Sequence, residues 1–236
     1  MSIGREVRKI FKLMSLEMRK INFSRYINNS LAACFAVTGF LFFMLYIDRE
    51  QFAASSTDFL FLIDSITRMV FIVFSGVLIS KLVIEEYNDK TITLMFTYPI
   101  SRKKIIISKL LIIIGFTFFS MLLSRIFAAF VLSMLNSNLG FIDGDITIPM
   151  LIEHFRNTIL YDLSASGVSL VPLFFGMLKK SVRTTIITSV IIAIFFGVSN
   201  EDLSIGSFIG IPVTLSLIGI VASYLSIKNI EHKDIS

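Results

Sequence analysis

Six long runs of apolar residues, interrupted by few charged side chains, constrain what this chain can fold into. A helix of about 20 residues crosses the roughly 30 Å hydrocarbon core of a bilayer while pairing its own backbone groups. The 236-residue chain is 55% hydrophobic and 17% charged, more apolar than one soluble core requires. The sequence therefore predicts an all-α integral membrane protein with six transmembrane helices, at about residues 27–47, 59–84, 106–135, 161–178, 181–200 and 207–227.

Lysine and arginine are concentrated on one side of these six helices. Most of the 22 basic residues lie before the first helix, between the second and third, between the fourth and fifth, or after the last. Basic residues are retained on the cytoplasmic side, so both termini are expected to be cytoplasmic in a plasma-membrane protein. The net charge of +5 therefore reflects topology, and we expect no nucleic-acid partner.

Two segments outside the runs are expected to form amphipathic helices. Residues 2–25 place apolar side chains at spacings of three and four, which predicts a helix lying along the inner membrane surface. The alternative is a basic flank that only orients the first span. In the outer connection, residues 136–160, turn-forming residues precede Pro149, and a short amphipathic helix is expected after it.

Several enzyme and cofactor signatures are missing from the sequence. No glycine is followed by lysine, so there is no phosphate-binding loop for ATP, and any nucleotide must be held by another chain. His154 and His232 lack metal-ligand spacing, so no metal site is expected. The Glu85-Glu86 pair resembles a motif of CAAX-processing intramembrane proteases, but no predicted span carries the histidine that those enzymes need. No catalytic residue is predicted.

The most informative stretch, residues 84–111, reads IEEYNDKTITLMFTYPISRKKIIISKLL. Pro99 disfavours helix at Tyr98, and Ser101 can cap the helix that follows. These residues predict a helix-turn-helix elbow on the cytoplasmic face. The alternative is a solvated loop that only obeys the positive-inside rule.

This stretch resembles the first cytoplasmic loop of type-2 ABC-transporter permeases. That loop has an acidic pair, leucines, a Pro-Val/Ile-Ser-Arg turn and a lysine before the third span. The matching residues here are Glu85, Glu86, Thr91, Leu94, Pro99, Ile100, Ser101, Arg102 and Lys109. Lys90 stands where glycine is common, and Tyr98 where a small residue is common. The six-span layout and the N-terminal helix are also similar to that family.

The resemblance implies a permease subunit that pairs with a second permease subunit, as a homodimer or heterodimer, and with ABC ATPase subunits that bind ATP and Mg. It implies a cytoplasmic coupling helix between Glu85 and Tyr98, and an ATP-driven exporter that moves an amphipathic or hydrophobic cargo, such as a peptide, by alternating access. The residues assigned to ATPase coupling are Glu85, Glu86, Thr91, Leu94, Met95, Phe96, Pro99 and Arg102. The loop of residues 179–183 would make a lesser contact.

Among the ionisable residues of the predicted spans we single out four, namely Asp64, Arg68, Arg125 and Asp162. Buried charges are costly and normally pair, so Arg125 is expected to contact Asp64 or Asp162. The group forms either a stabilising polar pair or part of a substrate path.

Small residues predict close helix packing in two places. Gly167 lies in a serine-rich part of the fourth span, and Gly206 and Gly210 form a GxxxG pattern at the start of the sixth.

Two other classes of function stay open. A nucleotide-independent immunity or scaffold protein would function without an intact elbow. An intramembrane enzyme would depend on Glu85 or Glu86 and need no ATPase.

Overall fold

The computed structural model describes residues 3–20, 23–47, 55–88, 102–139 and 147–197, together with residues 213, 214, 216, 217 and 219–221. Within these residues all regular secondary structure is helical, which confirms the all-α prediction. The α-helices of the described residues are α1 (Ile3–Lys20), α2 (Phe23–Ile47), α3 (Ser56–Ile79), α4 (Glu85–Asn88), α5 (Arg102–Leu139), α6 (Ile148–Val168), α7 (Val171–Lys179) and α8 (Val182–Gly197). A π-helical turn, Ser80–Ile84, joins α3 to α4.

Four helical stretches of the described residues are long and apolar enough to cross a membrane. They are Phe23–Ile47, Ser56–Asn88, Lys104–Asn136 and Ile148–Lys179. They correspond to the first four predicted spans. The helix α8 is apolar but shorter and coincides with the fifth, whereas most of the sixth, with Gly206 and Gly210, lies outside the described residues.

The fourth membrane stretch begins earlier than its apolar run. Thr147 precedes α6, and Pro149 lies in its first turn, where proline costs no hydrogen bond. The outer-surface helix expected after Pro149 is therefore the first part of α6 and continues into the predicted span. A turn at Ser169 and Leu170 then separates α6 from α7, which has Pro172 in its own first turn.

The helix α1 forms where residues 2–25 predict one, and it packs against α5. Its placement along the membrane surface stays a prediction. The coupling helix also stays a prediction, because residues 89–101 lie outside the described residues.

Three clusters of buried apolar side chains follow one another along the bundle. The first lies at the end where α4 ends and α5 begins, which we call the elbow end, and includes Leu82 and Ile113. The second includes Phe71 and Met121. The third, at the opposite or far end, includes Ile63.

Glycines bring two helix pairs close together. A Cβ added at Gly167 of α6 would lie 2.8 Å from Cβ of Ser216, which belongs to the predicted sixth span. A Cβ added at Gly76 of α3 would overlap the side chain of Ser189 in α8. Gly167 thus lies at a close helix approach, as its serine-rich surroundings led us to expect.

Replacing Gly76 by alanine is expected to lower the free energy of unfolding by about 1–3 kcal/mol, because the added methyl group forces α3 and α8 apart. Gly39→Ala in α2 is the matched control, since nothing lies within 4 Å of an added Cβ there. Thermal unfolding of the detergent-solubilised variants measures both effects. Equal melting temperatures for the two variants would contradict the close approach of α3 and α8.

Candidate functional site

The π-helical turn at the end of α3 widens the helix just before the predicted elbow. The N–H of Glu85 donates to the carbonyl of Ser80, five residues back instead of four. Such wide turns occur mostly as single turns and are frequent at functional sites. The carbonyl oxygen of Leu82, inside this turn, accepts a hydrogen bond from Nζ of Lys109 at 2.9 Å.

Lys109 lies at the elbow end between three helices and is only 3% exposed. Its ammonium group forms an ion pair with Glu86 of α4 and lies 3.8 Å from Oε2 of Glu17 in α1. A buried ammonium requires such partners, because removal from water costs several kcal/mol per ion. We call Glu17, Glu86 and Lys109 the elbow-end triad.

The two predicted glutamates of the elbow have different surroundings. Glu86 points to the buried Lys109, whereas Glu85 pairs with Lys81 at 2.9 Å in a solvent-accessible position, with side-chain exposures of 37% and 53%. Exposed pairs of this kind contribute little to stability, because water screens the two charges. Glu86 is therefore the glutamate that is held in place.

The connection between α7 and α8 also reaches α4. Nδ2 of Asn88 donates to the carbonyl of Lys180 at 3.0 Å, and Nζ of Lys180 lies 5.2 Å from the centre of the Tyr87 ring. The loop of residues 179–183, expected to make a lesser ATPase contact, thus lies beside the start of the elbow.

Of the remaining predicted coupling residues, the structure describes Arg102 alone. Thr91, Leu94, Met95, Phe96 and Pro99 lie outside the described residues. Arg102 is the first residue of α5.

A second polar group lies between the middle and far apolar clusters, and Arg125 of α5 is at its centre. Its side chain is buried, with Nε 2.6 Å from Oδ1 of Asp64 in α3 and Nη2 2.6 Å from Oδ1 of Asp162 in α6. Nη1 donates to the hydroxyl of Thr158 at 2.7 Å. One arginine thereby joins three helices.

Arg68 completes this group from α3. Its guanidinium lies 3.4 Å from both Oδ2 of Asp64 and Oδ1 of Asp162. Nε2 of His154 lies 3.0 Å from Oδ2 of Asp64. The structure thus brings together all four ionisable residues singled out in the spans, and we call Asp64, Arg68, Arg125 and Asp162 the four-charge cluster.

The four-charge cluster carries two positive and two negative charges in close contact. Such balanced pairing suits a link between helices, because each buried charge has an opposite one beside it. The alternative of a substrate path has one feature in its favour, since Oδ2 of Asp162 is buried and has no hydrogen-bond partner among the described residues.

Three residues in or beside these polar groups, namely Glu17, His154 and Thr158, were missed from the sequence although each left a signal. His154, Thr158 and Asp162 recur every four residues, the spacing of one helix face, but His154 was placed in a loop. Glu17 follows Ile10 by seven residues and Met14 by three, so it lies on the apolar face of α1. A charge on an apolar face indicates a buried partner.

Comparison with known proteins gives two matches. The family model described as ABC-2 family transporter protein matches residues 13–200. The protein YcbO of Bacillus subtilis (strain 168), described as uncharacterized, is 42% identical over 225 residues, which cover 94% of this chain and 99% of that protein. No solved structure matches.

Proposed function

Because the chain belongs to the ABC-2 transporter family, and so is a membrane subunit of a transporter, we propose that it serves an ATP-driven exporter. In this proposal the exporter moves an amphipathic or hydrophobic cargo, such as a peptide, out of the cell. The chain itself supplies no catalytic group. It pairs with a second permease subunit, identical or different, in the plasma membrane with both termini in the cytoplasm.

The observation that carries this proposal is the arrangement at the elbow end. Glu86 before the elbow and Lys109 after it form a partly buried ion pair, although they are 23 positions apart in the sequence. The ion pair thereby connects the two ends of the elbow to each other. Through Lys109 it also connects them to α5 and to the end of α3. A force applied to residues 89–101 from the cytoplasm would reach the membrane helices through this connection.

The force would come from a separate ABC ATPase that binds ATP and Mg, since the chain has no phosphate-binding loop. In this proposal Leu94, Met95 and Phe96 are the apolar anchors in a groove of the ATPase. Glu85, Glu86, Thr91, Pro99 and Arg102 shape and orient the coupling helix that carries these anchors. The loop of residues 179–183 adds a smaller contact.

ATP-driven closure of the ATPase pair would switch the membrane helices between inward-facing and outward-facing states. Reversing a 1:99 population requires about 5.5 kcal/mol of differential binding. A rigid connection from the elbow into the bundle is needed to deliver this free energy. The four-charge cluster serves as a structural link that keeps the far-end halves of α3, α5 and α6 together during the switch.

Hydrogen–deuterium exchange of the chain with its ATPase in lipid nanodiscs tests this function. We expect ATP and Mg to change the amide protection of the far-end helix segments, because they change which side of the bundle is open. The control complex contains an ATPase whose phosphate-loop lysine is replaced, and it should show no change. An exchange profile that is identical with and without ATP would favour the immunity or scaffold function instead.

A further inference from the structure

We propose that Lys109 is the positioning residue that transmits movement of the elbow to α1 and α3 together. This inference rests on the proposed function, because it concerns how an ATPase-driven force travels through the permease. Three contacts carry it. They are the ion pair with Glu86, the approach to Glu17 and the hydrogen bond to the carbonyl of Leu82.

The position of Lys109 in the chain makes it the closing point of the elbow. It lies in the third turn of α5, which follows the elbow, and Glu86 lies in α4, just before the elbow. Both side chains are largely withdrawn from solvent, with side-chain exposures of 4% and 20%. A movement of the elbow therefore displaces α4 and the start of α5 as one unit while this pair is intact.

The π-helical turn gives α3 a second arrangement that Lys109 controls. A π turn holds one residue more than an α turn, so conversion to α geometry would rotate the following residues by about 100° and shift them by about 1.5 Å. Nζ of Lys109 bonds the Leu82 carbonyl inside this turn. Lys109 thus fixes the orientation in which Glu86 leaves α3.

The contact with Glu17 extends the connection to α1. Glu17 is buried, and its Oε2 has no hydrogen-bond partner among the described residues. Nζ of Lys109 lies 3.8 Å from this oxygen. One ammonium therefore lies between two carboxylates from different helices. Without it, the carboxylates of Glu17 and Glu86 would face each other with no cation between them and would repel.

Replacing Lys109 by methionine tests the inference in the intact complex with the ATPase, in nanodiscs. We expect the ATPase to stay bound and to hydrolyse ATP within about twofold of the wild-type rate, because Lys109 is buried and is not one of the proposed anchors. The ATP-dependent change in amide exchange at the far end should fall by at least about fivefold, because fivefold is the lower end of the usual coupling factors between two sites. Lys109→Arg should restore part of it.

The matched control is Lys81→Met, which removes the exposed ion pair with Glu85 one turn away. It should leave both hydrolysis and the exchange response at wild-type levels. A Lys109→Met complex that binds and hydrolyses ATP and keeps the full exchange response would overturn the inference while leaving the proposed function intact. A wild-type chain that binds no ATPase would instead refute the proposed function.

A second variant decides the matter if Lys109→Met does not fold. Glu17→Gln removes the negative charge that faces Lys109 and leaves Lys109 paired with Glu86. We expect the ATP-dependent exchange response of α1 to decrease while that of α3 persists. An α1 response equal to that of the wild type would show that Lys109 does not connect α1 to the elbow.

Discussion

Replacing Arg125 by methionine is expected to lower the free energy of unfolding by about 3–5 kcal/mol, the usual cost of removing one partner from a buried ion pair. The change leaves Asp64 and Asp162 buried with Arg68, at 3.4 Å, as the nearest guanidinium. It also removes the hydrogen bond to Thr158. Methionine keeps a comparable volume, so the loss reports charge and hydrogen bonding more than packing. Thermal unfolding in detergent and the yield of monodisperse protein measure it.

Two further variants separate the charge effect from a general effect of losing arginine. Arg156→Met alters an exposed arginine of α6 and should change stability by less than about 0.5 kcal/mol. Adding Asp162→Asn to Arg125→Met leaves one aspartate with Arg68 and should recover part of the loss, because the net charge of the group returns to zero. If Arg125→Met were no less stable than Arg156→Met, the four-charge cluster would not link the helices.

Replacing Leu94 and Met95 together by aspartate is expected to weaken ATPase binding by more than about 100-fold. Each apolar anchor contributes about 1.5–3 kcal/mol when buried, and two carboxylates in an apolar groove add a desolvation cost. Titration of the purified ATPase onto nanodiscs that contain the chain measures this affinity.

The matched control for the elbow substitution places two aspartates at the far end of the bundle. Ile148→Asp with Ile152→Asp alters two exposed residues of α6 and adds the same charge. It should leave ATPase affinity unchanged. Equal loss of affinity in both double variants would mean that added charge, and not the elbow, governs binding.

The sequence predicted four of the long apolar helices, because the length of an apolar run and its charge are local properties. The first four spans appear as four long apolar helical stretches. The helix after Pro149 was predicted as a separate outer-surface helix and not as the start of the fourth membrane stretch, because Glu153, His154 and Arg156 suggested a segment outside the bilayer. In the structure Arg156 is exposed whereas His154 contacts Asp64, so the polar residues divide between the two faces of one helix.

The polar groups show what sequence periodicity leaves undetermined. The cost of burying charge predicted that Arg125 contacts Asp64 or Asp162. The packing of three helices in the structure was needed to show that its guanidinium contacts both. The contact of Lys109 with Glu17 likewise joins residues 92 positions apart in the sequence. Such pairings depend on how helices pack, which no local pattern encodes.

Purification of the tagged wild-type chain in mild detergent, with mass spectrometry of bound proteins, tests whether the chain works with an ABC ATPase. We expect an ABC ATPase to be recovered with the wild type and to be lost from the Leu94→Asp, Met95→Asp variant. A stable and monodisperse wild-type preparation that contains no ABC ATPase would contradict an ATP-driven permease subunit.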